Sequence, residues 1–327
     1  MPTSRAGETV AALARAVLSL QPLVDVLEEP PRLPLFGDDA GGMAVPEVVE
    51  RILHRLGAPR WRRTDPTTAP TASLPGVFDR VVAERLEAAL PGGGPAPLPA
   101  VSPAEVDATV DRVLASSFER RYPRVELASF DGAPLGAYAA GHPAGEPVVL
   151  VSACGMPAKL CRRWMELLSA EHRVVTWESR GLFLGDPDFD RRRHDVAAQA
   201  GDLFAVLDHL GVDAAHLMGL CGGAVVALRA AAERPARVRS LSLWHGDYDL
   251  GPEGPKTDHQ RNLQALMEMA AESRPSAASV RTAIFNSMRG KPLPELAHLV
   301  LYPYANPELM YRYGKLNGSI MHTAVEP

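Results

Sequence analysis

Residues 217–224 read Leu-Met-Gly-Leu-Cys-Gly-Gly-Ala, a thiol at the junction between an apolar run and a helix-forming stretch. A nucleophile at the tip of a tight strand-to-helix turn needs small neighbours, because side chains there clash as strand and helix close together. Gly219 and Gly223, two residues either side of Cys221, meet that need. Gly222, next to the thiol, can aim its N–H at a developing oxyanion, and the start of the following helix adds partial positive charge. The same positive end favours the thiolate, which is the attacking species. A thiol also depends less than a hydroxyl on a strong base. The chemistry implied is acyl transfer through a cysteine acyl-enzyme. The plain alternative is a small cysteine packed behind a helix.

The elements around this turn can be read from apolar runs. Four short runs, 148–152, 173–177, 215–219 and 240–244, alternate with helix-like segments at 159–170, 195–210 and 222–233. Strands without strict alternation, separated by helices, indicate a parallel sheet covered on both faces. A hairpin with its turn at Asp131-Gly132 precedes them. Catalytic groups in such sheets sit beyond the carboxyl ends of strands. Both Cys221 and the segment Ser152-Ala153-Cys154-Gly155 fall there. A second oxyanion donor is expected from that segment, at the Cys154 N–H with Gly155 next. Cys161 lies within a helix-like segment and reads as core.

Residues 124 to about 250 resemble an α/β-hydrolase core, close in organisation to single-domain thioesterases and acyl hydrolases. The hairpin, VVLVSACGMP, VVTWESRG, DVAAQAGDLFAVLDHLGV, GLCGG and VRSLSLW occur in that family's order. The resemblance implies a histidine base oriented by an acid. Asp247, just past the fourth run, is the expected acid, with Asp249 beside it. The base is unassigned between His245 and His322, neither of which sits in the family's usual Gly-His turn. The resemblance also implies two further strands after residue 250. Instead, residues 251–327 read as helices, expected to form a lid whose Tyr302, Tyr304, Tyr311 and Tyr313, with Trp244, line an apolar acyl pocket or simply pack. A longer natural chain, completion of the sheet by another chain, or a shortened fold each account for the missing strands.

The wider composition bounds the function. A net charge of −5 over 327 residues gives no general attraction to nucleic acid or acidic membranes. Three cysteines do not make a disulfide scaffold and imply reduced thiols in a cytoplasmic setting. The N-terminal stretch, interrupted by Arg15 and Gln21, reads as an amphipathic helix rather than a signal peptide or a membrane span. No metal or cofactor site is apparent, and GLCGG lacks the lysine of a phosphate loop. Proline- and glycine-rich loops divide the chain into a helical region over 1–120, the core over 121–250 and the lid over 251–327. The expected function is acyl transfer (thioesterase, esterase, or acyltransferase or cyclase) on a small-molecule or carrier-tethered acyl substrate. The alternative is a non-catalytic binding or assembly module.

Overall fold

The computed structural model describes residues 5–32, 45–58, 61, 76–93, 101–246, 248–251 and 254–325. Five helices come first: α1 (Arg5–Val26), α2 (Val45–Arg55), α3 (Val77–Glu87), α4 (Pro103–Ala115) and α5 (Phe118–Arg121). The strands β1 (Val125–Ala128), β2 (Pro134–Ala140) and β3 (Glu146–Val151) follow, then α6 (Arg162–Leu168) and β4 (His172–Trp177). Next come α7 (Val196–His209), β5 (Ala215–Leu220), α8 (Gly222–Glu233) and β6 (Val238–Trp244). The chain continues through α9 (Asp258–Glu272), α10 (Arg274–Met288), α11 (Ala297–Val300) and α12 (Pro307–Met321).

These elements form two compact units, Met1–Arg121 with Phe285–Leu301, and Tyr122–Ile284 with Tyr302–Pro327. The division differs from a single lid over 251–327, because 285–301 groups with the N-terminal helices. Within that unit Phe285 meets Phe78 edge-on at 5.2 Å, and Arg80 donates to the Lys291 carbonyl at 2.7 Å. His298 is buried in this unit rather than in a lid.

The N-terminal unit is a helical bundle. In α1 the residues Val10, Leu13, Val17, Leu20 and Val24 recur at three- and four-residue spacing and are fully buried. Arg51 grips Asp107 through two bonds, at 2.8 and 2.6 Å, tying α2 to α4. Ser102 and Glu105 form a capping box that starts α4. At 22 residues α1 is long and apolar enough to cross a membrane, contrary to the expectation from its polar interruptions. Half of its apolar window is buried inside the protein.

The second unit is built on a six-stranded sheet in the order β1-β2-β4-β3-β5-β6. The β1–β2 and β2–β4 pairs are antiparallel and the rest are parallel, so the sheet is mixed. The chain steps from β3 to β4 in one direction, then back past β3 to β5 and on to β6. Right-handed crossovers therefore put α6 on one face and α7 and α8 on the other. That reversal makes the crevice beyond β3 and β5 the topological switch point of the sheet.

Candidate active site

Cys221 stands at this switch point. Its N–H donates to the Trp244 carbonyl at 2.9 Å, carrying the β5–β6 ladder one residue past the Leu220–Trp244 pair. The backbone then turns into the left-handed region, with φ 53° and ψ −124°, and α8 begins at Gly222. The thiol is exposed. A Cβ on Gly219 would lie 2.5 Å from the Ala224 Cα, and one on Gly223 would overlap Val151 O and sit 2.5 Å from Ser152 O. Glycine on both sides of the thiol is therefore a steric requirement of the turn.

On the neighbouring strand the residue in step with Cys221 is His245, exposed and with φ 51°. Among the described residues, Cys221 and His245 are the two non-glycines with positive φ. Backbone strain of this kind persists where the surrounding structure over-determines it, and it clusters at functional sites. Asp247 lies outside the described residues. Asp249 is engaged locally, accepting from the Gly251 N–H at 3.1 Å and facing Lys256 Nζ at 3.4 Å.

The loop after β3 is held from below by β4. Glu178 Oε1 accepts from the Ala158 N–H at 3.1 Å, and its Oε2 accepts from Tyr138 Oη at 3.0 Å. Ser179 Oγ accepts from the Gly155 N–H at 3.0 Å. That bond removes Gly155 from the expected oxyanion donors. The N–H groups of Cys154 and Gly222 donate to no other group among the described residues. The Cys154 side chain is buried, and burial pushes its thiol up to about 12, so it stays protonated. Cys161 is buried near Thr176, as core.

Helix α12 runs over this region. A Cβ on Gly155 would meet Tyr313 Cδ2 at 2.8 Å, and one on Gly222 would meet Ile320 Cδ1 at 3.1 Å. Tyr304 packs edge-on against Tyr313 with centroids 5.7 Å apart, and burial raises both phenols above their ordinary range. Tyr302 donates to the Leu182 carbonyl and Tyr311 to Asp190, both at 3.0 Å, so these two are structural. His322 caps α12 with Nδ1 on the Gly318 carbonyl at 2.6 Å and Nε2 on the Glu268 carboxylate. Of the two histidines between which the base was left open, His322 thus has both ring nitrogens engaged by α9 and α12. A cavity of about 20 Å³, lined by Ser152, Cys154, Ser179, Gln199 and Ile320, has room for one water rather than an acyl chain.

Glu178 and Ser179 carry no motif of their own in the sequence. They lie inside the VVTWESRG segment, where they show as a pair of polar residues directly after an apolar strand. Burial raises the Glu178 carboxyl above its ordinary range, so its ionised form is disfavoured in the fold. The stability it contributes is full below the ordinary carboxylate range and is lost as pH rises through the raised folded value. Glu178→Gln keeps the Ala158 bond and lets an amide donate to Tyr138. It is expected to be more stable than the parent by about 1 kcal/mol at neutral pH, with no gain in acid. Urea midpoints at the two pH values check this.

No family model matches the chain. A RutD protein of Azorhizobium caulinodans, described as a carbamate hydrolase, is 33% identical over 105 residues, 32% of this chain and 39% of the relative. The dihydrolipoyllysine-residue acetyltransferase component of the acetoin cleaving system of Pseudomonas putida is 32% identical over 148 residues, 42% of this chain and 39% of the relative. The chain thus spans about two fifths of the length of these curated relatives. Among solved structures, the epoxide hydrolase CorEH superposes with a TM-score of 0.50 at 17% identity, over 62% of this chain and 74% of that one. The chain carries an α/β-hydrolase fold. The strand order, the hairpin at the sheet's start and the elbow after β5 that make up this fold are all in the second unit. Cysteine occupies the elbow position.

Proposed function

We propose that this α/β-hydrolase is a cysteine-dependent acyl-transfer enzyme acting on an ester or thioester, either a small molecule or a carrier-tethered acyl group. The observation that carries the reading is the strained, exposed Cys221 at the turn into α8, which opens at Gly222. Cys221 Sγ adds to the substrate carbonyl carbon, and the Cys154 and Gly222 N–H groups receive the oxyanion. His245 accepts the thiol proton and returns it to the departing thiol or alcohol. Asp247, two residues on, is the acid expected to orient it. Water, an alcohol or an amine then takes the acyl group from sulfur. Exchange between a thiol and a thioester is nearly isoenergetic, which favours thioester substrates. The relatives' names, a carbamate hydrolase and an acetyltransferase component, both describe transfer at a carbonyl group.

The test is incubation with a panel of acyl thioesters and activated esters, followed by intact mass and peptide mapping. One acyl mass on Cys221, absent in Cys221→Ala, is expected. His245→Ala is expected to slow acylation about a hundredfold, with recovery toward high pH as the thiol ionises unaided. No adduct across the panel overturns the reading. It would favour the alternative, a binding or assembly module, for which the engagement of both His322 nitrogens away from the elbow speaks.

A further inference from the structure

Helix α12 presents one stripe of side chains to the elbow. Tyr313, Asn317 and Ile320, spaced by four and then three residues, lie along it and are all buried. A Cβ on Gly155 would meet Tyr313, and one on Gly222 would meet Ile320 Cδ1 at 3.1 Å and Asn317 Oδ1 at 3.5 Å. The stripe thus covers both loops whose N–H groups are expected to receive the oxyanion, and Asn317 stands between its two ends. Burial is the main reason that the Tyr304 and Tyr313 phenols are raised, and negative charge on Cys221 adds to the rise in both. The sulfur therefore lies within electrostatic reach of the same stripe.

Asn317 is a poor choice for stability at this place. A side-chain amide offers two donor hydrogens and an acceptor oxygen. Here Nδ2 donates to Met321 Sδ at 3.6 Å, a weak acceptor, and among the described residues the amide makes no other hydrogen bond. Only 7% of the residue is exposed, so water has little access to replace the missing partners. Burying a polar group so weakly paired costs stability. Asparagine is also a weak helix former in the interior of a fifteen-residue helix. An apolar side chain would avoid both costs. The amide ends are nearly equal in shape, and a half-turn about the Cβ–Cγ bond exchanges them at the loss of the thioether contact alone. The donor end then faces Gly222.

We propose that Asn317 is a further catalytic residue, whose Nδ2–H donates to the oxyanion formed at Cys221 as a third donor in addition to the Cys154 and Gly222 N–H groups. The proposal rests on the acyl-transfer reading above. As Sγ bonds to the substrate carbonyl carbon, the π electron pair moves onto oxygen, and that charge is the strong acceptor that Met321 Sδ is not. The pair returns to carbon as the bond to the leaving group breaks, and the amide falls back onto the thioether.

The test compares two reactions of the same thiol. With a thioester an oxyanion forms. With iodoacetamide sulfur bonds to the methylene carbon, iodide leaves with the electron pair and the thiol proton goes to solvent, so no oxyanion forms. Cys154 and Cys161 are buried, and peptide mapping assigns both products to Cys221. Asn317→Leu, with Asn317→Ala as a second variant that cannot overpack the site, is expected to acylate about a hundredfold more slowly than the parent. Alkylation is expected to proceed at the parent's rate, and the leucine variant to melt no lower than the parent. Asn317→Asp keeps the acceptor and removes the donor, so it is expected to lose at least as much acylation at neutral pH. Parent-like acylation in the folded leucine and alanine variants, or in Asn317→Asp, overturns this inference alone. So does a loss of alkylation in step with acylation, because the residue then acts on the thiol and not on the oxyanion. If both apolar variants melt well below the parent, the amide is structural and the proposal fails. A parent protein that alkylates but never acylates overturns the reading of Cys221 itself, and this inference with it.

Discussion

Replacing Cys221 by glycine is expected to abolish acylation and, in the same variant, to stabilise the fold. The residue holds φ 53° and ψ −124°, a conformation glycine adopts readily and a residue with a Cβ does not. Such strain costs about 1–3 kcal/mol. Glycine removes it but gives back part of the gain through the greater freedom of its unfolded chain. The net expectation is about 1 kcal/mol, or about 3 °C in melting temperature for a unit of this size. Cys221→Ala retains the strain and is expected to melt with the parent while forming no adduct. The three-way comparison separates two explanations of the same residue. A cysteine kept for packing makes both substitutions neutral or harmful, whereas a nucleophile held in a strained turn makes glycine the stabler protein and the inert one. Thermal melts and intact mass on the same samples read both quantities.

The strain itself was only partly legible in the sequence. Gly219, Cys221 and Gly223 announce a tight turn, because glycine at those two offsets has few other uses. The apolar runs announce their strands for a similar reason, since Val148 to Val151 and Val174 to Trp177 have no polar face to offer water. His245 is different. Its alignment with Cys221 depends on the register of β6 against β5, which no local pattern encodes. The loop after β3 shows the same limit. Gly155 reads as a donor until Ser179, 24 residues later, takes its N–H. The last turns of helix α12 are only weakly marked in the sequence, because Gly314, Asn317 and Gly318 are weak helix formers. The structure supplies the reason for the first of them: a Cβ on Gly314 would lie 2.8 Å from the Ala271 N, so α9 and α12 pack backbone to backbone. Nearly every face of α12 is consequently buried, which a lid over an open pocket would not require.

Breaking the Arg180–Asp202 pair is expected to be the most destabilising change in the second unit. Arg180 is 1% exposed, and its guanidinium donates from Nε and Nη2 to Asp202 at 2.8 and 2.5 Å. Nη1 reaches Asp131 at 2.8 Å and the Arg193 carbonyl at 3.0 Å. Lysine has neither the fork nor the number of donors to replace these bonds. Arg180→Met leaves Asp202 buried without its countercharge and is expected to cost about 3–5 kcal/mol, lowering the melting temperature by about 10 °C. The double variant Arg180→Met, Asp202→Leu removes both charges and is expected to recover much of that loss, so the two single effects will not add. Burial works against ionisation of Asp131, but the Arg180 guanidinium prevails and holds its carboxyl below the ordinary range. Its contribution is therefore complete above the ordinary carboxylate range and is lost as pH falls through the lowered folded value. Arg180→Met is expected to flatten that acid limb. The same guanidinium fixes the turn in which Ser179 holds the Gly155 N–H, next to the Cys154 donor. A folded fraction of Arg180→Met should accordingly acylate more slowly than the parent at equal concentration of native protein, linking the buried charge to the chemistry at Cys221.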